Sequence, residues 1–402
     1  MQTESNLRPF FADMHIHIGA SKSGKPIKIT GSRSLTLSRI LSQAKHKKGM
    51  DLIGVIDCHS PEVLEELNEM VRDGALVLHE EGGLSFDGLT LIPGSEIEIN
   101  DERCNGPIHV LVFMPDLIKM ELLSKWLSNR IKNINLSSQR MYGTAVELQH
   151  VVKELGGLFI PAHIFTPFKS LYGKGVKTSL SEVFDPDLID AVELGLSSNT
   201  EMASVIHELS PYTFLSNSDA HSLEKIGREY QMLALKEASF NEFKMALKGS
   251  EGRGVIANYG LNPYLGKYYN TVCGKCLLPN TSYKASLCEN CKSRTIIKGV
   301  FDRIQELKNS EGTSSIKRPP YIHQFPLEFI PGLGPKSLQK LRETFGTDMD
   351  IIHSVQVENL KQVVKPVIAE AISSARKGTL SIQIGGGGTY GKIIADKTIN
   401  KN

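Results

Sequence analysis

The stretch FFADMHIHI (residues 10–18) carries the most informative structural pattern of the sequence, because a strand-like apolar run ends there in two histidines. Side chains alternate between the two faces of a strand, so His15 and His17 point to the same side. Paired imidazoles at a strand end are typical of a metal site. The neighbouring apolar runs supply further ligands of the same kind.

Seven more short apolar runs follow before residue 261, and amphipathic stretches separate most of them. Strands that alternate with helices predict βα units and a mainly parallel sheet. About eight repeats over ~250 residues are typical of an α/β barrel. The further runs are DLIGVID (51–57), LTLIPGSEIEI (89–99), IHVLVFM (108–114), GLFIPAHIF (157–165), DAVELGL (190–196), YTFLSNSDA (212–220) and RGVIANYG (253–260).

Residues of metal-ligand type recur at the ends of these runs. Because the carboxyl ends of parallel strands meet at one mouth of a barrel, we expect these side chains to converge. Mixed imidazole and carboxylate ligands suit zinc, manganese or iron, with magnesium as a further candidate, and their number favours two or three ions. Such ions activate water and hold the attacking and leaving oxygens during phosphoester hydrolysis. The residues are Asp57, His59, Glu96, His109, His163, Asp219 and His221.

The ordered motifs DMHIH, PGSE, PAH and SDAH resemble those of the PHP (polymerase and histidinol phosphatase) superfamily. The resemblance implies a distorted (β/α)7 barrel with a trinuclear metal site. The superfamily's second motif usually has adjacent Asp and His, whereas Cys58 separates Asp57 from His59 here, so either or both are candidate ligands. The acid or histidine that the superfamily tends to place after HxH is missing. Metal roles are implied for His15, His17, Glu96, His109, His163, Asp219 and His221.

Two glycine-rich stretches match phosphate-loop patterns incompletely. Residues 19–25 have Walker A spacing, but Pro26 replaces the Ser or Thr that would reach Mg²⁺. We interpret them as a basic loop over the metal mouth, with Lys25 as a candidate for neutralising a substrate phosphate. Residues 386–391 match GxGxxG, yet too little chain follows for a dinucleotide fold, so a flexible loop is predicted.

Two CxxC pairs predict a structural zinc site. One CxxC would serve redox chemistry, whereas two pairs at this spacing favour a closed tetrahedral site. Six cysteines in 402 residues are too few for a secreted disulfide scaffold. No apolar run approaches the ~20 residues of a membrane span, and no signal peptide is recognisable. We expect a cytoplasmic protein without a membrane partner. The zinc ligands are Cys273, Cys276, Cys288 and Cys291.

The stretch FIPGLGPKSLQKL (329–341) resembles the helix-hairpin-helix DNA-binding motif. Backbone N–H groups in a hairpin at Gly332 and Gly334 can hold a phosphate without reading sequence. Lys336 adds positive charge, and Leu338 and Leu341 are predicted core residues. An ordinary αα-hairpin is the alternative interpretation.

Composition divides the chain into four predicted segments: a barrel (1–262), a four-cysteine zinc module (263–308), a linker (309–320) and a helical domain with a Gly-rich tail (321–402). The net charge of +2 excludes a general polyanion-coating protein. It hides an asymmetry. From residue 261 onward the chain has 20 Lys and Arg and 11 Asp and Glu, a net charge of +9. Before residue 261 it has 26 Lys and Arg and 33 Asp and Glu, a net charge of −7. A basic appendage on an acidic, metal-binding domain is typical of a nuclease.

This order of modules resembles the endonuclease Q family in its shorter bacterial form, as do the strings LSSQRMYG (136–143) and PAHIFTPFKSLYGKG (161–175). The resemblance implies a DNA repair endonuclease. It implies hydrolysis, by metal-activated water, of the phosphodiester 5′ to a deaminated base (hypoxanthine, uracil or xanthine) or an abasic site.

Candidate catalytic residues are Asp219 and His163 at the metals, with Lys25 or Arg140 neutralising the phosphate. The three deaminated bases share a lactam edge, which one donor and one acceptor could read. We expect the base-binding residues in polar or aromatic loop-like stretches near the metal motifs: Ser137, Ser138, Gln139, Arg140, Lys169 and Tyr172.

Two other functions remain open from the sequence. One is a PHP phosphatase or exonuclease acting on small phosphoesters or strand ends. The other is a non-catalytic DNA-binding accessory factor. DNA with deaminated bases or abasic sites is the expected partner, and a sliding clamp is a further candidate partner.

Overall fold

A computed structural model describes residues 6–266, 268–279, 287–308 and 317–380, together with the short strands Ile382–Gln383 and Lys392–Ile393. Most of the predicted linker (309–316) and the GxGxxG stretch (386–391) lie outside the described residues. Within the described chain, no helix is long and apolar enough to cross a membrane.

Strands and helices alternate through residues 6–260, as the apolar runs predict. The strands are β1 (Arg8–Ile16), β2 (Leu52–Val55), β3 (Val77–Leu78), β4 (Leu84–Phe86), β5 (Leu89–Ile99), β6 (Ile108–Phe113), β7 (Arg140–Met141), β8 (Leu158–Pro161), β9 (Ala191–Glu193), β10 (Thr213–Leu215), β11 (Tyr230–Leu235) and β12 (Gly254–Gly260). The α-helices are α1 (Leu37–Ser42), α2 (Pro61–Arg72), α3 (Leu117–Ser128), α4 (Ala145–Glu154), α5 (Thr200–Ala203) and α6 (Phe240–Leu247).

The later part of the chain is mostly helical with short strands. Its strands are β13 (Val272–Cys273), β14 (Ile296–Ile297), β15 (Tyr321–His323), β16 (Ile382–Gln383) and β17 (Lys392–Ile393). Its helices are α7 (Val300–Leu307), α8 (Pro335–Phe345), α9 (Asp348–His353), α10 (Val357–Val363) and α11 (Pro366–Arg376).

Seven strands, in the order β1-β2-β5-β6-β8-β9-β10, form the wall of a distorted barrel. β8 meets β9 where the N–H of Asp190 donates to the Phe159 carbonyl at 3.0 Å. The ring closes beyond β10, where the N–H of Ala220 donates to the His15 carbonyl at 3.1 Å. The predicted α/β barrel, followed by a four-cysteine module and helices, is confirmed.

The barrel sheet is mixed, whereas the sequence pattern predicts a mainly parallel one. β5 pairs antiparallel with β6, and β6 pairs antiparallel with β8. Residues 100–107 join β5 directly to β6 without a helix, which allows a hairpin but not a parallel crossover. The first residues of β6 therefore lie beside the end of β5. This reversal explains how His109, at the start of its strand, reaches the mouth.

The later segments pack directly on the barrel. β15 extends the barrel sheet by pairing in parallel with β12. Lys48, a buried barrel residue, places its Nζ 2.7 Å from Glu328 and 3.1 Å from Asp348. His353 stacks on the barrel's Phe11 with ring centroids 4.7 Å apart. The helical segment is thus held against the barrel by both ionic and aromatic contacts.

The helical hairpin differs from the predicted motif at its first helix. A single 3₁₀ turn, Leu327–Phe329, precedes the hairpin where the motif predicts a helix. Gly332 has a φ of +84°, a conformation that favours glycine, and Gly334 caps α8. Leu338 and Leu341 are buried, as predicted for core residues.

Candidate metal centre

Side chains of metal-ligand type form one cluster at the barrel mouth. Three overlapping sets each hold their ligand atoms within 4.8 Å of one another. His17 and Glu96 each belong to two sets and join them. The sets are His15, His17 and Glu96; His17, Asp219 and His221; and Glu96, His109 and His163. The structure therefore brings together all seven residues to which the PHP resemblance assigns metal roles.

Unpartnered ring nitrogens show that the cluster fits divalent cations. The Nε2 atoms of His15, His17 and His109 are buried, and no group of the described chain hydrogen-bonds to them. A buried polar atom without a partner costs free energy. The Nε2 of His15 lies 3.6 Å from Glu96 Oε1, and that of His17 lies 3.5 Å from Asp219 Oδ1. Cations shared between these imidazoles and carboxylates would satisfy both.

Carboxylates hold the rear nitrogens of the same histidines. Glu193 accepts from His15 Nδ1 at 2.9 Å, and Asp57 lies 3.1 Å from His17 Nδ1. Such partners fix the tautomer and ring orientation of ligating histidines. The sequence predictions omit Glu193, although a carboxylate inside the apolar run DAVELGL is a signal that it has a buried partner. Asp57 lies behind His17 and outside the three ligand sets.

His59 is not brought into the cluster. Its Nδ1 lies 2.6 Å from Ser95 Oγ, and its Nε2 lies 3.2 Å from the Leu136 carbonyl. Both ring nitrogens are thereby used in hydrogen bonds. Of the two candidates in the second motif, Asp57 contacts the ring of the candidate ligand His17, and His59 contacts Ser95 and the Leu136 carbonyl.

The electrostatics of the cluster favour ionised carboxylates. Burial alone would raise the pKa of Glu96, but His109 and Lys28 outweigh it and hold that pKa well below its usual range. Burial lowers the pKa of His15, yet Glu193 and Asp219 raise it well above the usual value. Burial also lowers the pKa of His221 to about 4. Ionised carboxylates and neutral imidazoles are the forms that bind metals, so a metal ion bound here would displace the proton that the raised pKa of His15 favours.

Backbone strain concentrates around the same mouth. His163, Asp219, Ser138 and Lys169 have φ values of 30°, 45°, 53° and 51°. These four are half of the non-glycine residues with positive φ that the structure describes. Left-handed backbone is costly for such residues and is retained where a site requires it. All four line one cavity together with the metal cluster.

That cavity has a volume of about 520 Å³ and opens to solvent beside Glu96, His109, His163, Asp219 and His221. Four of the six residues expected to contact the base line it: Ser137, Ser138, Gln139 and Lys169.

The other two expected base-binding residues do not line this cavity. Tyr172 is fully buried, stacks on Phe165 and donates to Glu208 at 2.8 Å. Arg140 is exposed and donates to the Asn100 carbonyl at 2.6 Å. The structure therefore gives Tyr172 a core position and leaves Arg140 on the surface.

The structure places Lys25 away from the metal mouth. Its ammonium pairs with Glu62 on α2, and its side chain is 71% exposed. The loop of residues 19–25 thus lies against a helix rather than over the cavity. Lys28 reaches the cluster instead, with its Nζ 3.0 Å from Glu96 Oε2 and 2.5 Å from Ser138 Oγ. No pattern in the sequence distinguishes Lys28 from the neighbouring lysines.

The four cysteines form a second, separate cluster. The sulfurs of Cys273 and Cys291 lie 3.5 Å apart, and those of Cys276 and Cys288 lie 3.6 Å apart. A disulfide bond is about 2.05 Å long, so the thiols are free. The distances are close to the edge of a tetrahedron built on Zn–S bonds of about 2.3 Å. The cluster therefore fits a single tetrahedral zinc ion.

The hairpin residues are accessible. Gly332, Gly334 and Lys336 are exposed at the N-terminal end of α8. Their backbone and side-chain donors are open to an anion there.

Comparisons with known proteins cover the whole chain. No family model matches it. The uncharacterised protein YqxK of Bacillus subtilis is 55% identical over 387 residues, which is 96% of this chain and 100% of that protein. The crystal structure of the lesion-specific endonuclease PfuEndoQ from Pyrococcus furiosus has a TM-score of 0.84 and 32% identity, with 98% of this chain and 97% of that chain covered.

A second solved structure is Endonuclease Q in complex with a 27-mer duplex substrate with an abasic lesion at the active site. Its TM-score is 0.84 at 31% identity, and 98% of each chain is covered. These likenesses extend over barrel, cysteine module and helices alike. The chain belongs to the endonuclease Q family of metal-dependent DNA endonucleases.

Proposed function

We propose that this protein is a DNA repair endonuclease that hydrolyses the phosphodiester 5′ to a deaminated base or an abasic site. The deaminated bases are hypoxanthine, uracil and xanthine. The main support is the cluster of seven ligand residues beneath an open cavity. The likeness to an endonuclease crystallised with an abasic lesion at its active site adds the substrate class.

The cluster would hold two or three divalent ions, chosen from zinc, manganese, iron and magnesium. Bound there, such ions activate water and neutralise the phosphodiester charge. The protein's own contribution is positional, since Glu193 and Asp57 orient the imidazoles of His15 and His17. The four cysteines would hold one structural zinc.

Asp219, His221 and His163 are the candidate ligands with the most exposed side chains, and His221 is 27% exposed. Asp219 and His163 are the two that we propose as catalytic residues. The Asp219 side chain is 32% exposed and that of His163 is 12% exposed, whereas His15 and His17 are fully buried. Both Asp219 and His163 have left-handed backbone, and both line the cavity. We therefore assign the reacting phosphate to the side of the cluster that they face.

Lys28 replaces Lys25 as the residue that neutralises the substrate phosphate. Its ammonium lies inside the cavity against Glu96, and its side chain is 12% exposed. Charge in such a water-poor site acts more strongly than charge on the surface. Exchanging Lys28 for Gln should slow cleavage, whereas Lys25→Gln should not.

Gln139 supplies the chemistry needed to read a lactam. A side-chain amide offers one acceptor and an NH₂ donor, which match the N–H and C=O that hypoxanthine, uracil and xanthine share. Ser138 and Lys169 line the same cavity. Adenine and cytosine present the opposite arrangement at these positions, whereas guanine and thymine carry the same lactam, so the cavity would have to exclude those two by their 2-amino and 5-methyl groups. An abasic site needs no such reading, because no base has to enter.

The exposed hairpin at Gly332 and Gly334, with Lys336, would hold a DNA phosphate away from the metals. Neither the described residues nor the comparisons support a sliding-clamp partner.

A covalently closed duplex circle with a single hypoxanthine tests the proposal. The metal-loaded protein should nick this circle, and a matched circle with an abasic site, leaving 3′-hydroxyl and 5′-phosphate ends. An undamaged circle is the control. A phosphatase or exonuclease would leave every circle closed, and an accessory factor would bind without cutting. Equal nicking of damaged and undamaged circles would contradict the proposed specificity.

A further inference from the structure

Two exposed apolar side chains stand at the mouth of the metal cavity. Ile29 is 70% exposed and Phe168 is 47% exposed, and both line the cavity that contains Glu96 and Asp219. Single exposed apolar residues are common on protein surfaces. Here the two come from separate loops and share the rim of the cavity that contains the metal-ligand cluster.

Backbone hydrogen bonds hold Ile29 in this position. The N–H groups of Ile27 and Lys28 donate to the carbonyls of Gly19 and Ile18 at 3.1 and 2.9 Å, and Gly31 N–H donates to the Lys28 carbonyl at 2.9 Å. Ile27 is buried on one side of Ile29's loop, and Lys28 points to Glu96. Ile29 is thus presented to solvent by a loop that is anchored at the metal cluster.

The loop that carries Phe168 is anchored in a similar way. The Thr166 hydroxyl donates to the Phe168 carbonyl at 3.0 Å, and His109 N–H donates to the Lys169 carbonyl at 2.9 Å. Tyr268 contacts the Phe168 ring edge-on at 5.4 Å. One edge of the Phe168 ring is therefore held, and the rest is open toward the cavity mouth.

We propose that Ile29 inserts into the DNA base stack at the gap left by a target nucleotide turned out into the metal cavity, and that Phe168 stacks on an adjoining base. This inference rests on the proposed function. The lactam edge of a deaminated base is hidden while the base is paired, so reading it requires extrusion. Apolar side chains fill such gaps, and aromatic rings stack on unpaired bases.

The test uses Ile29→Ala in the full-length, metal-loaded protein. The substrates are a duplex with uracil opposite adenine and the same uracil strand left single. Cleavage of the duplex should slow by about tenfold, while cleavage of the single strand changes by less than about twofold, because only the duplex has a stack to open. Phe168→Ala should slow cleavage of both substrates, because an aromatic ring can stack on an adjoining base in either one. The fluorescence of a 2-aminopurine placed beside the uracil should increase when the wild-type protein binds, and it should increase less when Ile29→Ala binds.

Ile118→Ala is the matched control, because Ile118 is also 70% exposed but lies on α3 and does not line the cavity. If Ile29→Ala slows cleavage of the duplex and of the single strand equally, or slows neither, the inference is overturned. If the wild type cuts neither substrate, the proposed function fails instead. The 2-aminopurine fluorescence would then test the role of Ile29 without cleavage. Equal unstacking by the wild type and Ile29→Ala would overturn the insertion of Ile29, and loss of unstacking in the variant would support it.

Discussion

The two ligand clusters of this protein are built in opposite ways. The cluster at the barrel mouth draws its residues from positions 15 to 221, on different strands and strand-end loops, and one side opens into a cavity of about 520 Å³. The four cysteines lie close together in the chain, between positions 273 and 291. An open site leaves room for a substrate, whereas a closed four-cysteine site is typical of a structural ion.

The groups that support each cluster differ as well. Carboxylates such as Glu193 orient the barrel histidines, whereas backbone N–H groups contact the cysteine sulfurs, for example Lys275 to Cys273 at 3.3 Å. The barrel has a large apolar core beneath its cluster, including Met14 and Phe113. Of the described residues from 273 to 298, only Cys273 and Cys288 are buried, so the fold of this stretch depends more on its ion. Losing one ligand should therefore affect chemistry in the first region and folding in the second.

The sharpest test of this contrast is Asp219→Ala. Cleavage of a hypoxanthine-containing duplex should fall by at least about 1000-fold, because a ligand that faces the substrate is lost. DNA affinity and the melting temperature should change little, since the barrel core is untouched. Single-turnover cleavage, a binding titration and thermal melting provide the measurements. Asp187→Ala, on the barrel surface, is the control, and cleavage at the wild-type rate by Asp219→Ala would show that the site is misassigned.

Replacing Cys273 and Cys276 together by Ser should give the reverse pattern. We expect the loss of about one zinc per chain and faster proteolysis around residues 266–300, because the ion stabilises that fold. DNA affinity should fall by about tenfold while the barrel keeps its metals. Metal analysis and limited proteolysis measure both. Cys104→Ser, outside the cluster, is the control, and an unchanged zinc content in the double variant would contradict a four-cysteine site.

Glu193→Gln tests whether the barrel cluster depends on its supporting carboxylates. Loss of the charge behind His15 should weaken metal binding or activity by about 10- to 100-fold. The Mn²⁺ concentration that gives half-maximal cleavage should rise, and excess Mn²⁺ should restore part of the rate. Glu201→Gln, which changes an exposed residue on α5, should behave as the wild type. If both variants need the same Mn²⁺ concentration, Glu193 has no positioning role.

Glu229 is a buried carboxyl outside the metal cluster, and it shows what burial does to a carboxyl pKa when the cluster's positive groups are not nearby. It is as buried as Glu96, but burial raises its pKa to about 8. The hydrogen bond from the Leu261 N–H and the charge of Arg228 offset too little, and Glu193 and Asp13 add to the rise. In the unfolded chain this carboxyl ionises near its ordinary pKa of 4.5. The free energy of unfolding therefore decreases as the pH rises from about 4.5 to about 8.

Glu229→Gln should remove that pH dependence. The amide can still accept from the N–H of Leu261, which donates to Glu229 at 2.8 Å. At pH 9 the variant should melt about 2–5 °C above the wild type, and at pH 5 the two should be nearly equal. Melting curves at both pH values measure this. An equal offset at pH 5 and pH 9 would mean that Glu229 does not ionise across this range.

Sequence patterns predicted which residue types lie in the metal cluster better than they predicted which groups contact those residues. The H-x-H and D-x-H spacings place side chains on one face of a strand end, and His15, His17, Asp219 and His221 lie together in the structure. Lys28 and Lys25 are equivalent in the sequence, and only the path of the loop separates the buried lysine from the exposed one. His59 matches a ligand motif, but Ser95 on the neighbouring strand binds its ring nitrogen.

The amino-acid sequence by itself determined the α/β barrel, the cysteine pairs and most residues of the barrel-mouth cluster, because period-two alternation and CxxC spacing are local properties. The tertiary structure decided the reversal of β6, the orientation of histidines by Glu193 and Asp57, and the entry of Lys28 into the cavity. These depend on contacts between residues far apart in the chain, such as His15 and Glu193, which no local pattern encodes. The same reason explains why the closed cysteine cluster was predictable in full and the open barrel cluster only in part.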